Sequence, residues 1–204
     1  MDGKKMKRRM EEGRLYQPGD PDILREQAAC LEKLYDFNAT RPSQLRKRQE
    51  LLEEMFAEIG GGCYIEPPLH ADFGGKHVHF GRNVYANFGL TLVDDGHIYV
   101  GDSVMFAPNV IVATGSHPVE PTLRRQGLQF NLDVRIGDNV WIGAGAVILP
   151  GVTIGENTVI GAGSVVTKDI PAGVVAVGNP CRVMRPIGPR DREYYYRDRK
   201  IDWK

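Results

Sequence analysis

Hydrophobic residues in the second half of the chain recur at every sixth position. Six consecutive hexapeptides begin at residue 136, and their aliphatic residues stay in phase: Ile136, Ile142, Ile148, Ile154, Ile160 and Val166. A period of six fits neither an α-helix, which repeats every 3.6 residues, nor an isolated strand, which alternates every two. It is typical of short strands joined by tight corners, where glycine supplies the backbone freedom to turn. The pattern therefore predicts a solenoid of triangular coils, each of about 18 residues.

A weaker version of the same pattern extends upstream and is interrupted once. The hexapeptides VGDSVM, FAPNVI, FGRNVY and ANFGLT carry it back, so that the predicted solenoid spans about residues 63 to 185. The period is lost between Val112 and Ile136, in a segment that contains Pro118 and Pro121. A long excursion from a regular solenoid is usually functional. We therefore predict an extruded loop at residues 113–135 that carries chemistry.

The residues before position 60 follow a helical pattern instead. One amphipathic face is formed by Ile23, Leu24, Ala28, Leu31, Leu34 and Tyr35. Asp20 or Asp22 is a candidate N-cap, and Pro21 favours a helix start. A second helix is expected from Leu45 to Ile59, ending at the glycine triplet 60–62. The charged run 46–48 is expected on its solvated face, and the two helices are expected to cap the solenoid.

Composition and charge exclude several classes of protein. The 204 residues include 26 Lys and Arg against 26 Asp and Glu, so no basic excess favours nucleic-acid binding. No apolar run of about 18 residues predicts a membrane span, and no apolar stretch follows the charged N-terminus as in a signal peptide. Cys30, Cys63 and Cys181 lie far apart, which favours a reducing cytoplasm over a disulfide framework. Of the 24 glycines, 21 fall between Gly60 and Gly188, which places most of them in the predicted solenoid.

Five longer motifs make the chain resemble the hexapeptide-repeat sugar O-acetyltransferases, the galactoside and maltose O-acetyltransferases. They are NVYANFGLTLVDD (83–95), APNV (107–110), HPV (117–119), the repeat block 136–171 and GNPCRV (178–183). The tail REYYYRDRK (192–200) looks closer to the galactoside branch. The resemblance implies a mainly β protein, a left-handed parallel β-helix with a small N-terminal α-helical cap. It divides the chain into a cap (1–60), an acyltransferase domain (61–185) and a C-terminal tail (186–204).

The resemblance also implies an enzyme that transfers acetyl from acetyl-CoA to a sugar hydroxyl. It implies a homotrimer with active sites between subunits. An alcohol needs a base to attack a thioester at neutral pH, and histidine has a suitable pKa. His117 lies in the extruded loop and matches the catalytic histidine of the family. We therefore expect direct transfer in a ternary complex, with no acyl-enzyme, because Cys63 and Cys181 match no nucleophile position.

Further residues are carried over by the same resemblance. Acceptor binding is expected at Asp20, Asp72, Asn87 and Asp95, with helix capping or turn formation as the alternative for Asp20 and Asp72. A cofactor groove is expected along Ala144, Ala162, Thr167, Lys168, Arg182 and Arg185. Considered alone, basic residues at a solenoid end are usually only a solvated edge, and Trp141 fits either a cleft wall or core packing.

Two other functions fit parts of the sequence. The first is a trimeric metal-dependent lyase that resembles the left-handed-helix carbonic anhydrases, with His77, His79 and His97 around one zinc-like ion. The cap, the HP loop and the basic end have no role in that reading, so no metal is expected. The second is a trimeric scaffold without activity. The acceptor sugar itself stays open at this point, with galactosides favoured and maltose or glucose next.

Overall fold

The structure, a computed structural model, describes residues 3–203. Residues 1–2 and 204, the outer ends of the predicted cap and tail, lie outside the described residues. Three helices precede the coil: α1 (Gly3–Glu11), α2 (Pro21–Asn38) and α3 (Leu45–Met55). The first of them was not expected from the sequence. Asp20 caps α2, because its Oδ1 accepts a hydrogen bond from Asp22 N at 3.0 Å.

The predicted end of the second helix is wrong. Helix α3 stops at Met55, and Phe56 is already extended with ψ at 148°. Residues 58–59 form the first strand of the coil, so the glycine triplet lies in a coil corner, not at a helix end. Gly62 has φ at +77°, which is the left-handed conformation that the prediction assigned to a helix cap. A corner and a helix end need the same backbone geometry, and the local sequence does not separate them.

The predicted apolar face of α2 is buried only in part. In α2 the buried residues are Ile23, Leu34 and Phe37, whereas Leu24 and Tyr35 are exposed by 48% and 73%. The buried set sits on the side of the helix that packs against the coil, and Leu34 and Phe37 belong to the same core cluster as the coil interior. This part of the cap therefore shares the core of the coil, whereas Ile23 packs in a second, smaller cluster with Met6, Met10, Tyr16 and Phe73.

Arg48 is also placed differently from the prediction of a solvated face. It is 5% exposed, and its Nε donates to Thr40 Oγ1 at 2.9 Å while its Nη1 donates to Tyr64 OH at 3.2 Å. Its charge also lies 3.9 Å from Glu66. Arg46, by contrast, is exposed and pairs with Glu50 on the helix surface. The periodicity of charge in the helix does not distinguish these two arginines.

Short strands build the rest of the chain. In order they are β1 (Glu58–Ile59), β2 (Tyr64–Ile65), β3 (His70–Ala71), β4 (Val78–Phe80), β5 (Tyr85–Ala86), β6 (Thr91–Val93), β7 (Ile98–Val100), β8 (Met105–Phe106), β9 (Ile111–Ala113), β10 (Gly115–Ser116), β11 (Phe130–Asn131), β12 (Val134–Ile136), β13 (Trp141–Ile142), β14 (Val147–Ile148), β15 (Thr153–Ile154), β16 (Val159–Ile160), β17 (Val165–Val166), β18 (Val174–Val177), β19 (Arg182–Pro186), β20 (Tyr194–Tyr196) and β21 (Arg199–Lys200). Two short helices, α4 (Pro121–Arg125) and α5 (Arg190–Glu193), complete the elements.

The strands stack into three parallel sheets, one for each face of a triangular coil. Face 1 contains β1, β4, β7, β12 and β15, and face 3 contains β3, β6, β9, β14 and β17. Face 2 contains β2, β5, β8, β13, β16 and β18, and β19 adds to it in antiparallel orientation. The chain passes from face 1 to face 2 to face 3 and back, and we call the turns between them corner 1–2, corner 2–3 and corner 3–1.

The pairing of strands between successive coils is regular after the loop. Trp141 pairs with Val159, and Val147 pairs with Val165, so the coils repeat every 18 residues. Across the loop, Tyr99 pairs with Arg135, so the coil continues without losing its phase. The inward aliphatic residues predicted from the hexapeptides are all buried: Ile136, Ile142, Ile148, Ile154, Ile160 and Val166.

At several corners of the coil, the left-handed backbone conformation expected of glycine is adopted by asparagine. Asn83, Asn109, Asn139 and Asn157 have φ between 54° and 58°, and asparagine tolerates this region better than most side chains. Some glycines serve a different purpose, which is close stacking. A Cβ built on Gly143 would lie 2.5 Å from the backbone N of Ala162 in the next coil. The division of the chain into cap, coil and tail at 60 and 185 stays a prediction.

Candidate active site

The interrupting loop is ordered by its own short elements. It leaves corner 3–1 after β9 and rejoins the coil at β12. Strands β10 and β11 pair in antiparallel orientation, with Gly115 opposite Asn131 and Ser116 opposite Phe130. Glu120 caps α4 between them by accepting from the backbone N–H groups of Thr122 and Leu123. This hairpin holds the next residue, His117, at a defined place on the surface.

The hydrogen bond of His117 selects one tautomer. Its ring is exposed, and Nδ1 lies 2.8 Å from the carbonyl oxygen of Leu128. A carbonyl oxygen only accepts, so Nδ1 carries the proton and Nε2 keeps its lone pair. The loop therefore fixes the imidazole and leaves a basic nitrogen that is able to take a proton from a substrate.

Three aspartates lie at corner 3–1, where the loop emerges. Burial and the charge of Asp95 raise the pKa of Asp72 to about 6, although Asp72 keeps an exposed side. Burial also raises the pKa of Asp94 to about 6, while the N–H groups of Phe73 and Gly75 donate to its carboxylate and oppose that shift. Asp94 is fully buried and holds the preceding corner, whereas Asp95 is half-buried and Asp72 is exposed.

Asp95 lies next to the extruded loop. A Cβ built on Gly115 would be 3.3 Å from Asp95 Oδ2, so the carboxylate lies beside Gly115, two residues before His117 in the loop. Two neighbours of Asp95 were missed by sequence reasoning, Tyr16 from the cap and Gln129 from the loop. They are separated by more than 100 positions, so no local pattern could have paired them.

Two predicted acceptor residues lie elsewhere in the chain. Asn87 follows β5 at corner 2–3, on the other edge of face 3 from Asp95, and its Oδ1 accepts from Phe88 N at 2.9 Å. Asp20 is 8% exposed and caps α2, which is the alternative role that the sequence left open for it. Within one chain, Asp72 and Asp95 therefore lie at the corner from which the loop of His117 emerges, whereas Asn87 lies at the opposite edge of face 3.

The predicted cofactor residues are spread over the upper coils. Ala144 and Ala162 are exposed at corner 2–3 in consecutive coils, and Gly163 N donates to Ala144 O at 2.8 Å. Thr167 and Lys168 are exposed just after β17, at corner 3–1. Small side chains on stacked corners leave the backbone accessible, as a long narrow ligand requires. The roles of these residues stay predictions.

The two predicted arginines differ in how they are held. Both lie on β19 and are exposed. The guanidinium of Arg185 donates twice to Asp191, at 2.7 Å each, and this pairing lowers the pKa of Asp191 to about 2. Arg182 donates to the carbonyl of Cys181 at 2.8 Å. A phosphate at Arg185 would therefore share its guanidinium with the tail.

The three histidines of the lyase reading lie close together at the start of face 1, and two of them bond to each other. His79 Nε2 lies 2.9 Å from His97 Nδ1, and His79 Nδ1 lies 3.1 Å from Glu58. His77 Nδ1 is bonded to the carbonyl of Asp94, and burial lowers the pKa of His77. Among residues 3–203, no group of three His, Cys, Asp or Glu side chains is arranged to hold a metal ion.

The cysteines are unsuited to act as nucleophiles. Cys63 and Cys181 are buried, and burial raises the pKa of both thiols. A thiolate is the reactive form, so this shift opposes catalysis. Cys30 is half-buried and its pKa is also raised, again mainly by burial.

One apolar column remains uncovered on face 2. Tyr85, Met105 and Trp141 are in register on successive coils, and they are exposed by 42%, 47% and 48%. Trp141 therefore does not pack in the core of its own chain. In the part of the chain that the structure describes, no helix is long and apolar enough to cross a membrane.

Comparisons with known proteins agree with this architecture. A family model described as bacterial transferase hexapeptide (six repeats) matches residues 133–168, and one described as maltose acetyltransferase hexapeptide capping motif matches residues 9–60. A galactoside O-acetyltransferase from Lactococcus lactis is 53% identical over 195 residues, which cover 96% of this chain and 94% of the relative.

Solved structures show the same fold. A galactoside acetyltransferase in complex with coenzyme A aligns with a TM-score of 0.93 at 46% identity, covering 97% of this chain and 98% of the other. A maltose O-acetyltransferase from Clostridium difficile aligns with a TM-score of 0.88 at 43% identity, covering 90% and 97%. The predicted left-handed parallel β-helix with N-terminal helices is confirmed by these matches.

Proposed function

Because this chain belongs to the hexapeptide-repeat sugar O-acetyltransferases, we propose that it acetylates a hydroxyl of a sugar with His117 as general base. It is an acetyltransferase that uses acetyl-CoA. We favour a galactoside as the acceptor, with maltose or glucose next. Membership of this acetyltransferase family makes both the metal-dependent lyase and the inactive scaffold the weaker proposals.

The observation that carries the proposed mechanism is the hydrogen bond from His117 Nδ1 to Leu128 O. It leaves Nε2 free to remove the proton from the sugar hydroxyl as the hydroxyl oxygen attacks the acetyl carbonyl. Acetyl-CoA supplies the acetyl group as a thioester. The proton held by His117 then passes to the sulfur, and coenzyme A leaves as the thiol. The raised pKa values of the buried cysteines support direct transfer in a ternary complex.

The carboxylates at corner 3–1 fit a sugar acceptor. Asp95 and Asp72 are both able to accept hydrogen bonds from hydroxyl groups beside His117, and a carboxylate makes such bonds strongly. We propose the same role for Asn87, contributed by another subunit. For Asp20 the contact is indirect, because its carboxylate is already bonded to Asp22 N at the start of α2.

The upper coils fit coenzyme A. Cβ atoms built on Gly145 and Gly163 would meet nothing within 4 Å, so the backbone at corner 2–3 is open to a ligand. We propose that pantetheine lies along Ala144 and Ala162. The basic residues at the end of the coil, Lys168, Arg182 and Arg185, would hold the phosphates together with the hydroxyl of Thr167.

A homotrimer would assemble these pieces. The proposed base lies at corner 3–1, whereas Asn87, Ala144 and Ala162 lie at corner 2–3, so the two sets are on opposite edges of face 3. We propose that corner 3–1 of one subunit meets corner 2–3 of its neighbour. The exposed column on face 2 supports an interface, because large uncovered apolar patches usually mark one.

Light scattering tests this assembly. We expect the protein to have three times the mass of a single chain, and Trp141→Asp to dissociate it and abolish acetyl transfer. Tyr35→Asp, at an exposed aromatic residue of α2, is the matched control and should leave the mass unchanged. A fully active monomer would refute the shared site.

The experiment that tests the function is thiol release from acetyl-CoA over a panel of sugars. We expect release only when an acceptor is present, fastest with galactosides, and a rise in melting temperature with acetyl-CoA alone, since a ligand that binds the folded state stabilises it. Absence of both effects would favour the scaffold. The unpaired state of Cys30, Cys63 and Cys181 supports our proposal of a cytoplasmic location.

A further inference from the structure

A buried network joins the cap, the loop and the Asp95 carboxylate. Tyr16 and Gln129 pair through their backbones, with N–H···O distances of 2.9 and 3.1 Å in the two directions. Their side chains also meet, because Gln129 Nε2 donates to the Tyr16 hydroxyl at 2.7 Å. Tyr16 is 1% exposed and Gln129 9% exposed, so water does not compete for these bonds.

The network contains few donor hydrogens, and they are directed towards Asp95. Gln129 has two amide hydrogens and Tyr16 has one hydroxyl hydrogen. One amide hydrogen goes to the Tyr16 hydroxyl, and the other goes to Asp95 Oδ1 at 2.8 Å. The Tyr16 hydroxyl is 3.3 Å from the same Oδ1 and 3.4 Å from Asn131 Oδ1. Asp95 Oδ1 is therefore within reach of both donors. It shares the Tyr16 hydroxyl hydrogen with Asn131 Oδ1, which also lies 3.3 Å from Gln129 Nε2.

Tyr16 stays a donor throughout the neutral pH range. Burial first, and then the nearby charge of Asp95, raise the pKa of Tyr16 well above its ordinary value. Deprotonation would place a second negative charge beside the half-buried Asp95 carboxylate. The Tyr16 hydroxyl is therefore available as a donor to Asp95 at neutral pH.

The second carboxylate oxygen of Asp95 lies on the side of the catalytic loop. A Cβ built on Gly115 would be 3.3 Å from Asp95 Oδ2 and 3.0 Å from Gln129 Nε2. The absence of a side chain at Gly115 thus keeps space beside Oδ2. We propose that Tyr16 and Gln129 are positioning residues, which hold Asp95 through Oδ1 so that Oδ2 accepts a hydrogen bond from the acceptor sugar. This inference rests on the proposed function.

The same short segment also orients the base. Leu128, the residue before Gln129, supplies the carbonyl that fixes His117. Its neighbour Gln129 fixes Asp95 through its side chain and is held by Tyr16 through its backbone. The orientations of His117 and Asp95 therefore both depend on the backbone at residues 128–129, which is hydrogen-bonded to Tyr16 of the cap.

Tyr16→Phe and Gln129→Leu test the assignment by removing donors while keeping most of the side-chain volume. A hydrogen bond to a charged group is strong enough that we expect kcat/KM for the sugar to fall about tenfold to a hundredfold. The KM for acetyl-CoA should stay within about twofold of its original value. The double variant should lose less than the product of the two single losses, because both donors serve the same oxygen.

Gln17→Leu is the matched control. Gln17 Nε2 donates to Gln126 O at 3.0 Å, so this side chain also ties the cap to the loop but does not touch Asp95. We expect it to leave sugar kinetics unchanged. Equal losses in Gln17→Leu, or an acetyl-CoA KM that changes as much as the sugar KM, would show that the network only stabilises the loop.

Two results would overturn the proposal while leaving the proposed function standing. One is sugar kinetics in both single variants within about twofold of the unmodified enzyme, with acetyl transfer intact. The other is losses in the double variant that multiply as for independent sites. If the unmodified enzyme acetylated no sugar at all, the proposed function itself would have failed.

Discussion

His117→Ala is expected to lower kcat for acetyl transfer by a factor of about 10²–10⁴, the usual contribution of a positioned general base. The imidazole is fixed by Leu128 O, and nothing else in the loop offers a basic atom in that position. The affinity for acetyl-CoA should remain, because the proposed cofactor groove lies along the coil. Steady-state thiol release and a thermal shift with acetyl-CoA measure the two quantities separately.

His117→Asn sharpens this test. An asparagine amide is able to donate to Leu128 O as the imidazole does, but it has no basic nitrogen. We therefore expect the same loss of turnover with the loop geometry kept. His79→Gln, at a histidine on face 1 that bonds to Glu58 and His97, is the control and should keep nearly full activity. Activity of His117→Asn within a fewfold of the original would rule out His117 as the base.

Phe106→Ala is expected to cost about 3–5 kcal/mol of the free energy of unfolding. Phe106 is fully buried inside the coil, and its ring stacks on Phe80 with centroids 6.0 Å apart. Removing it leaves a cavity that the neighbouring coils cannot close, because their backbones are already stacked at strand spacing. Urea denaturation, followed by circular dichroism, measures the change in the midpoint.

Tyr35→Ala provides the comparison for that stability measurement. Tyr35 is an aromatic residue of similar size, but it is 73% exposed on α2. Surface substitutions of this kind usually change stability by no more than about 0.5 kcal/mol. If Phe106→Ala were as mild as Tyr35→Ala, the coil interior would not be the source of stability that we describe.

The coil was predictable because each hexapeptide carries its own signal. An inward aliphatic residue such as Ile142 depends only on its place in the period, and its burial follows. Features that depend on packing between distant segments were not predictable. Arg48 is buried because Thr40 and Tyr64 accept hydrogen bonds from its guanidinium. The helical pattern around Arg48 does not indicate either partner.

The same distinction holds at the site. His117 was singled out because it lies in the one long break of the repeat, and Asp95 because it lies in a motif of the family; their roles stay predictions. The tautomer of His117 depends on the Leu128 carbonyl, and the orientation of Asp95 depends on Tyr16, which is 79 residues away in sequence. Such contacts arise only when the loop folds back on the cap, so no spacing rule points to them.

The most direct test of the account is to follow the acetyl group itself. The protein would be mixed with acetyl-CoA carrying a ¹³C-labelled carbonyl and an excess of a galactoside, and the carbon signal would be recorded by NMR. We expect the thioester signal to be replaced by one sugar O-acetyl ester, in equal amount to the free thiol. Label that appears only as acetate, or on the protein, would contradict direct transfer to a sugar hydroxyl.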